Sequence, residues 1–509
     1  MKGSACLNYR SGENVGGAAA LPCVSLPPAE LGDAIEVFLR RCRRPALLEA
    51  GSPIVPLVAG EYALDRQPQR LMLQVWTAHS NVVRRVVGVV AQTPGRLILA
   101  VERFARKPGQ LELLDLERAA PTHQCRGQRL VWRERLRLML NREMPAWTIA
   151  ELSTEPDLEH TLSPAFVRAL AVRGARGVAI LGAGPQALDP DSLLTFGLIW
   201  FDYLRRHRRH LTIERLDLWL PHGSQNATAL RMPWLRLPMH LHLYTEDDFS
   251  QLVDPADCGN VDTSLTPRAS VLSLPAEALR DLADIDGVDL VDLANGALSL
   301  RVRGLEFAQL RTELTSSLGS RRVITVKEAA ALAMSLARFR APDPPDARHT
   351  LYRRHPEAWL ESQLRRDIAV IDPSLASAPI YGQVPALAST ERGILDLLSC
   401  DHTGRLAVIE IKAVADPHLP LQALDYWLRV RWHLQRGEFT AAGYFPATAL
   451  RAEAPRLVLI APALEFHPST ETVLQYFKPE VAVERIGVGA RWRHRLEVMF
   501  RLQSAERPY

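Results

Sequence analysis

ILDLLSCDHTGRLAVIEIKAVADPHLPLQALDYW (residues 394–427) divides into two apolar runs on either side of Asp401-His402-Thr403-Gly404, followed by a helical pattern from Leu419. The second run is rich in β-branched residues and ends in Glu410-Ile411-Lys412, a carboxylate and an ammonium. Side chains alternate along a strand, so Glu410 and Lys412 share one face and Ile411 takes the other. If the two runs pair as a hairpin about the glycine turn, Asp396 lies on the neighbouring strand and faces the same pocket. An aspartate inside Ile-Leu-Asp-Leu-Leu suits a strand poorly unless a donor or a cation meets it. The plain account of the strand end is a solvated ion pair, worth less than about 1 kcal/mol. Residue type argues against that account, because only five of the 61 basic residues are lysine. An amine, and not merely a positive charge, is wanted at position 412.

Converging carboxylates repel one another, which raises a pKa or calls for a cation, and an oxygen-rich donor set suits Mg²⁺ or Mn²⁺. Such an ion polarises a phosphoryl oxygen and acidifies a bound water. Lys412 beside it would orient that water or offset charge on the phosphate. The chemistry expected of this constellation is phosphodiester hydrolysis.

Around it, the last third of the chain reads as helix, three strands, helix, strand: PEAWLESQLRRDIAVI (356–371), strands near IYGQVPAL, RGILDLLS and RLAVIEIKA, the helix LPLQALDYWLRVRWHLQRG (419–437) and RLVLIAPAL. This arrangement resembles the PD-(D/E)xK nuclease superfamily, whose shared core is αβββαβ with Asp on the second strand and Glu-x-Lys on the third. The matching residues are Asp396, Glu410 and Lys412, within GILDLL and LAVIEIKA. Glycine before the Asp strand and Gln422 in LQALDYW make it look like the mismatch-endonuclease, tRNA-endonuclease-like and Holliday-junction-resolvase branch. That branch also carries a Glu on the leading helix, for which Glu361 in AWLESQL is the first match and Glu357, one turn earlier, the second. The resemblance spans residues 350 to about 490 and departs from the pattern at Leu395, where the superfamily often has proline.

What the resemblance implies is a restriction-endonuclease-like domain in which Asp396, Glu410 and Glu361 hold the metal while Lys412 and Gln422 complete the catalytic set. The expected activity is a metal-dependent endonuclease acting on DNA first and RNA second. Arg365 and Arg366 on the leading helix, with Arg429, Arg431 and Arg436 on the following one, are the candidates to track a phosphate backbone. The competing reading is a non-catalytic nucleic-acid-binding or scaffold protein that keeps this fold.

The rest of the chain bounds these expectations. A length of 509 residues exceeds one ordinary core. With 47% hydrophobic and 23% charged residues and a formal charge of +4, the composition is that of an α/β multidomain globular protein that permits a nucleic-acid partner without demanding one. The six cysteines form neither a zinc-knuckle spacing nor a disulfide framework. No run approaches the roughly 18–20 apolar residues of a membrane span, and no signal peptide is evident. A cytoplasmic protein without a membrane partner, with a homodimer as the candidate assembly, is expected. Residues 1–27 read as a flexible arm, 28–145 as a β-rich module with barrel-like potential, 146–340 as a mixed α/β domain, 341–349 as a proline-rich linker, and 350–509 as the nuclease-like domain. GAGP (182–185) lacks the full GxGxxG and is not read as a dinucleotide loop. No repeat with a period of 20–50 residues is visible.

Overall fold

The computed structural model describes residues 27–503 except 43–44, 50–54, 58–61, 69, 77–80, 94, 103–107, 116–122, 186, 188–189, 246, 259–260, 262, 269–275, 294–295, 319–321 and 386–393. The arm at 1–27 lies outside the described residues but for its last position. Among the described residues, four sheets and twelve α-helices make a mixed α/β, multidomain protein.

The amino-terminal sheet has seven antiparallel strands, five in a meander from Tyr62 to Asp115 with Pro45–Glu49 and Val55–Pro56 added beside the last of them, and the amphipathic helix Pro28–Arg41 covers one side. Leu31, Ile35, Phe38 and Leu39 of that helix enter the sheet's core, as the spacing of apolar residues in AELGDAIEVFLRR requires. The sheet runs from an edge at Val55–Pro56 to an edge at Tyr62–Gln67. The span 146–340 holds two separate sheets. One has six strands between Thr148 and Val253. The other is a four-stranded antiparallel sheet, Val288 to Ser316, backed by the helix Val326–Phe339 with a Thr325/Glu328 capping box. Arg340, fully buried, donates to the carbonyls of Arg303 and Leu351 at 2.9 and 2.6 Å, which clasps both ends of the proline-rich segment 341–349.

The carboxy-terminal sheet follows the expected order: helix Pro356–Arg366, strands Tyr381–Pro385, Ile394–Cys400 and Leu406–Ile411, helix Leu419–Gln435, strand Arg456–Pro462. Helix Thr470–Leu474 and strands Val483–Val488 and Val498–Gln503 complete it. Gly404 turns the central hairpin at φ +87°, and a Cβ there would come within 2.1 Å of the Ala449 carbonyl oxygen. Only glycine satisfies both demands.

The six-stranded middle sheet repeats this topology. Helix His123–Glu143 leads into strands Thr148–Ser153, Phe166–Arg173 and Arg176–Ala183, helix Leu193–His207, strand Thr212–Pro221, helix Asn226–Arg231, and strands Met239–Tyr244 and Ser250–Val253. In both sheets the strands lie in chain order, and pairing runs antiparallel, antiparallel, parallel, parallel, antiparallel. The sequence carries the echo: RLDLWLP (215–221) and RLVLIAP (456–462) occupy the same strand, and each ends it with proline.

The two copies pack through their crossover-helix layers, Leu193–His207 against Thr470–Leu474 and Leu419–Gln435 against Asn226–Arg231. A single core takes Leu194, Leu198 and Phe201 from one and Leu421, Leu424 and Trp427 from the other. Leu235 and Phe477, in matching loops, form an antiparallel bridge across the junction, with the Arg236 amide donating to Tyr476 and the Lys478 amide to Trp234. Asp202 and Asp425, each in an Asp-Tyr pair of its crossover helix, are held by the opposite copy: Gln475 and Tyr476 donate to Asp202, Arg231 to Asp425. The arrangement approximates an internal two-fold.

Candidate functional site

The site lies where strand Leu406–Ile411 runs out. Leu397 pairs with Ile409 and Leu398 with Val408, so the register carried one residue further sets the backbone of Asp396 opposite Glu410. The Asp396 side chain lies outside the described residues. Ala407, Ile409 and Ile411 fill the core beneath the leading helix, and Val408 fills the core on the opposite face. Alternation therefore gives Glu410 the face of Val408. Glu410 is 1% exposed, and Lys412 Nζ donates to its Oε1 at 3.0 Å.

Two further acids act on Glu410 from a distance, since among the described residues only Asp217, His240 and His242 bring their ligand atoms within 4.8 Å of one another. Glu357, at the start of the leading helix, accepts the Ala413 amide and acts electrostatically on Glu410, as does Asp416. Burial pushes the Glu410 carboxyl up to about 7, with Glu357 and Asp416 adding to the rise and Lys412 opposing it. Burial likewise raises Glu357. Glu410 Oε2 is buried without a hydrogen-bond partner among the described residues. An orphaned carboxylate oxygen inside a group of acids is costly, and a cation would relieve it. The donor set is all oxygen and therefore fits a hard divalent ion.

Glu361 stands apart from this group. Arg365, one turn on, takes its Oε1 at 2.5 Å, and Arg301 approaches from the four-stranded sheet at 3.7 Å. Glu357 is thus the acid of the leading helix that acts electrostatically on Glu410. Gln422, in the first turn of the following helix, donates to the Tyr426 hydroxyl at 3.4 Å. The arginines are largely engaged within the protein. Arg365 donates to the Ile380 carbonyl, Arg366 to Asp289, Arg429 to the Asp425 carbonyl, and Arg436 to Glu438. Arg431 stacks on Trp234 and Trp427. Of these, Arg436 keeps a mostly exposed side chain. No described helix is long and apolar enough to cross a membrane.

Comparison with protein-family models, curated proteins and solved structures finds no match to this chain. Its chemistry therefore has to be read from its own residues, and the first copy offers an internal reference. With Ile180 paired to Asp217 there and Ile409 paired to Val458 here, Leu181 and Ala183 stand where the second copy has Glu410 and Lys412. Arg168, paired with Leu181, takes the place of Asp396. At these three positions the second copy carries two acids and an amine, and the first carries leucine, alanine and arginine.

Cation binding and protonation compete for the same Glu410 oxygens. A carboxyl whose folded pKa is raised contributes stability that is complete below its unfolded pKa of roughly 4.3 and is lost as pH rises through about 7. Metal-free protein should accordingly lose part of its stability over that interval. Added Mg²⁺ should raise the thermal midpoint at pH 8 and leave it unchanged at pH 5, which scanning calorimetry will read. An equal increment at both pH values would contradict Glu410 as a ligand.

Proposed function

We propose that the second copy is a metal-dependent endonuclease that hydrolyses phosphodiester bonds in nucleic acid, DNA before RNA, with Mg²⁺ or Mn²⁺ as cofactor. The observation that carries this reading is the buried, half-satisfied Glu410 at a strand end, bonded to Lys412 and crowded by Glu357 and Asp416. The element order αβββαβ around it supports the same reading. Glu410 and Glu357, with Asp396 from the opposite strand, would hold the ion. When bound, it supplies positive charge to a phosphoryl oxygen and lowers the pKa of a water. Lys412 has three donor hydrogens, so one can stay on Glu410 while another meets a phosphate oxygen. Burial of the pair keeps bulk water from screening that contact.

One set of acids per chain predicts a product. Supercoiled plasmid incubated with the full chain and Mn²⁺ is expected to end as nicked circles, with linear DNA forming only by later, independent cuts. Linear product appearing at the same rate as nicked product, at dilutions where the chain is monomeric, would contradict a single competent site.

The scaffold reading has one observation in its favour, since the first copy builds the same sheet without the acids. Binding of branched, mismatched and single-stranded DNA without any cleavage in Mn²⁺ would establish it instead.

A further inference from the structure

The strands Thr212–Pro221 and Met239–Tyr244 of the first copy run parallel, with Asp217 beside His240 and Trp219 beside His242. Alternation puts all four side chains on the outer face of the sheet, beneath helix His123–Glu143, whose Leu136, Met139 and Leu140 pack with Trp219 and Tyr244. His240 Nδ1 lies 3.4 Å from one Asp217 oxygen, and His242 Nε2 lies 3.9 Å from the other. One ligand atom from each of the three residues falls within 4.8 Å of the other two. Tetrahedral Zn²⁺ with bonds of about 2.0–2.1 Å spaces its ligands roughly 3.3 Å apart, so side-chain rotations of about an ångström would close the set.

Three observations distinguish this cluster from ordinary packing. Among the described residues, His242 Nε2 is buried and lacks a hydrogen-bond partner, a costly condition for a ring nitrogen aimed at a carboxylate. The His242 ring lies flat on Trp219, with centroids 4.4 Å apart and planes within 3°, so its direction is fixed before any ligand arrives. The second copy has Val458, Glu484 and Ile486 at the corresponding register positions, so the architecture does not itself demand the polar trio.

We propose that Asp217, His240 and His242 form a second cation site, for a first-row transition ion such as Zn²⁺ rather than Mg²⁺. Two imidazoles and one carboxylate are the donor set of such ions. Arg215 grips both oxygens of Asp217, at 2.8 and 3.1 Å. Each carboxylate oxygen can accept twice, so one lone pair on each remains, and the guanidinium serves as the outer-sphere donor that holds the ligand in place. Glu143, held by Ser250 and Arg142, faces His242 from the covering helix. Three protein ligands leave a coordination position for water or a small anion. The site stands independently of the nuclease reading.

The test uses the full chain after chelator treatment, titrated with Co²⁺ as a visible-absorbing substitute and with Zn²⁺ by calorimetry. One equivalent is expected to bind with a d–d absorption band. His240→Ala, at a half-buried position, and Asp217→Asn should each weaken binding by on the order of 100-fold or more, at or above the usual loss of an outer-sphere partner. Glu410→Gln should leave the band intact, which separates this site from the carboxylate cluster. Thermal midpoints measured without metal will show that the variants fold. Equal Co²⁺ binding by the parent, His240→Ala and Asp217→Asn would overturn the proposal, as would the absence of any band at millimolar Co²⁺.

Discussion

Lys412→Ala is expected to reduce Mn²⁺-dependent nicking of supercoiled DNA by on the order of 10²–10³-fold, the usual cost of removing one transition-state donor. The physical ground is the position of the amine. It is nearly buried, 3.0 Å from Glu410, and is the one lysine in a chain that otherwise spells positive charge with arginine at its buried ion pairs. Folding should survive the substitution, because Glu410 is already raised to about 7 by burial and can take up a proton when its partner is lost. The measurement is therefore paired: nicking rate against thermal midpoint. Lys412→Arg is expected to fail as well, since a planar guanidinium cannot occupy an ammonium-sized space beside two acids. Full activity in Lys412→Ala would remove the amine from the chemistry.

What the sequence made legible follows from how local each signal is. The hairpin at 394–411, the helix Leu419–Gln435 and the strand RLVLIAP lie where the apolar periodicity places them, because burial of one face is written within a few residues. The choice between Glu357 and Glu361 was not local. Both acids sit on one face of one helix, and Glu361 is drawn away by Arg365 together with Arg301 from a different sheet. The arginines proposed for nucleic acid pose the same problem, since charge alone does not reveal that Arg429 turns back to the Asp425 carbonyl. The duplication had a signal, the shared Arg-Leu-x-Leu-x-x-Pro of residues 215–221 and 456–462. The motif recurs once, at positions 215 and 456, far outside a period of 20–50 residues, and the connection from crossover helix to strand also differs between the copies, 208–211 against 436–455. The Asp217 cluster also had a trace in His-Leu-His (240–242), which puts two imidazoles on one strand face. Its third member arrives only through parallel pairing with a strand that a helix separates in sequence.

The largest expected effect on stability lies at the junction of the two copies, where Asp425→Ala should destabilise the protein by about 3–5 kcal/mol. Arg231 and Asp425 are both buried for the most part, and the guanidinium donates Nε to Oδ1 at 2.8 Å while a second N–H reaches Oδ2. Taking away the carboxylate leaves a guanidinium in a low-dielectric seam, where its desolvation is no longer offset. The cost is therefore larger than the net worth of the pair. That distinction can be measured: Arg231→Met combined with Asp425→Leu should recover most of the stability that either charge-leaving single substitution loses, giving a strongly non-additive cycle in urea unfolding. The same logic sets Asp202 apart, because its partners Gln475 and Tyr476 are neutral donors and an Arg206 pair lies half in solvent. Asp202→Asn should then cost less than Asp425→Asn, although the two aspartates hold matching places in the internal two-fold. Equal losses at the two positions would mean that helix packing in the shared core, and not the buried ion pair, holds the copies together.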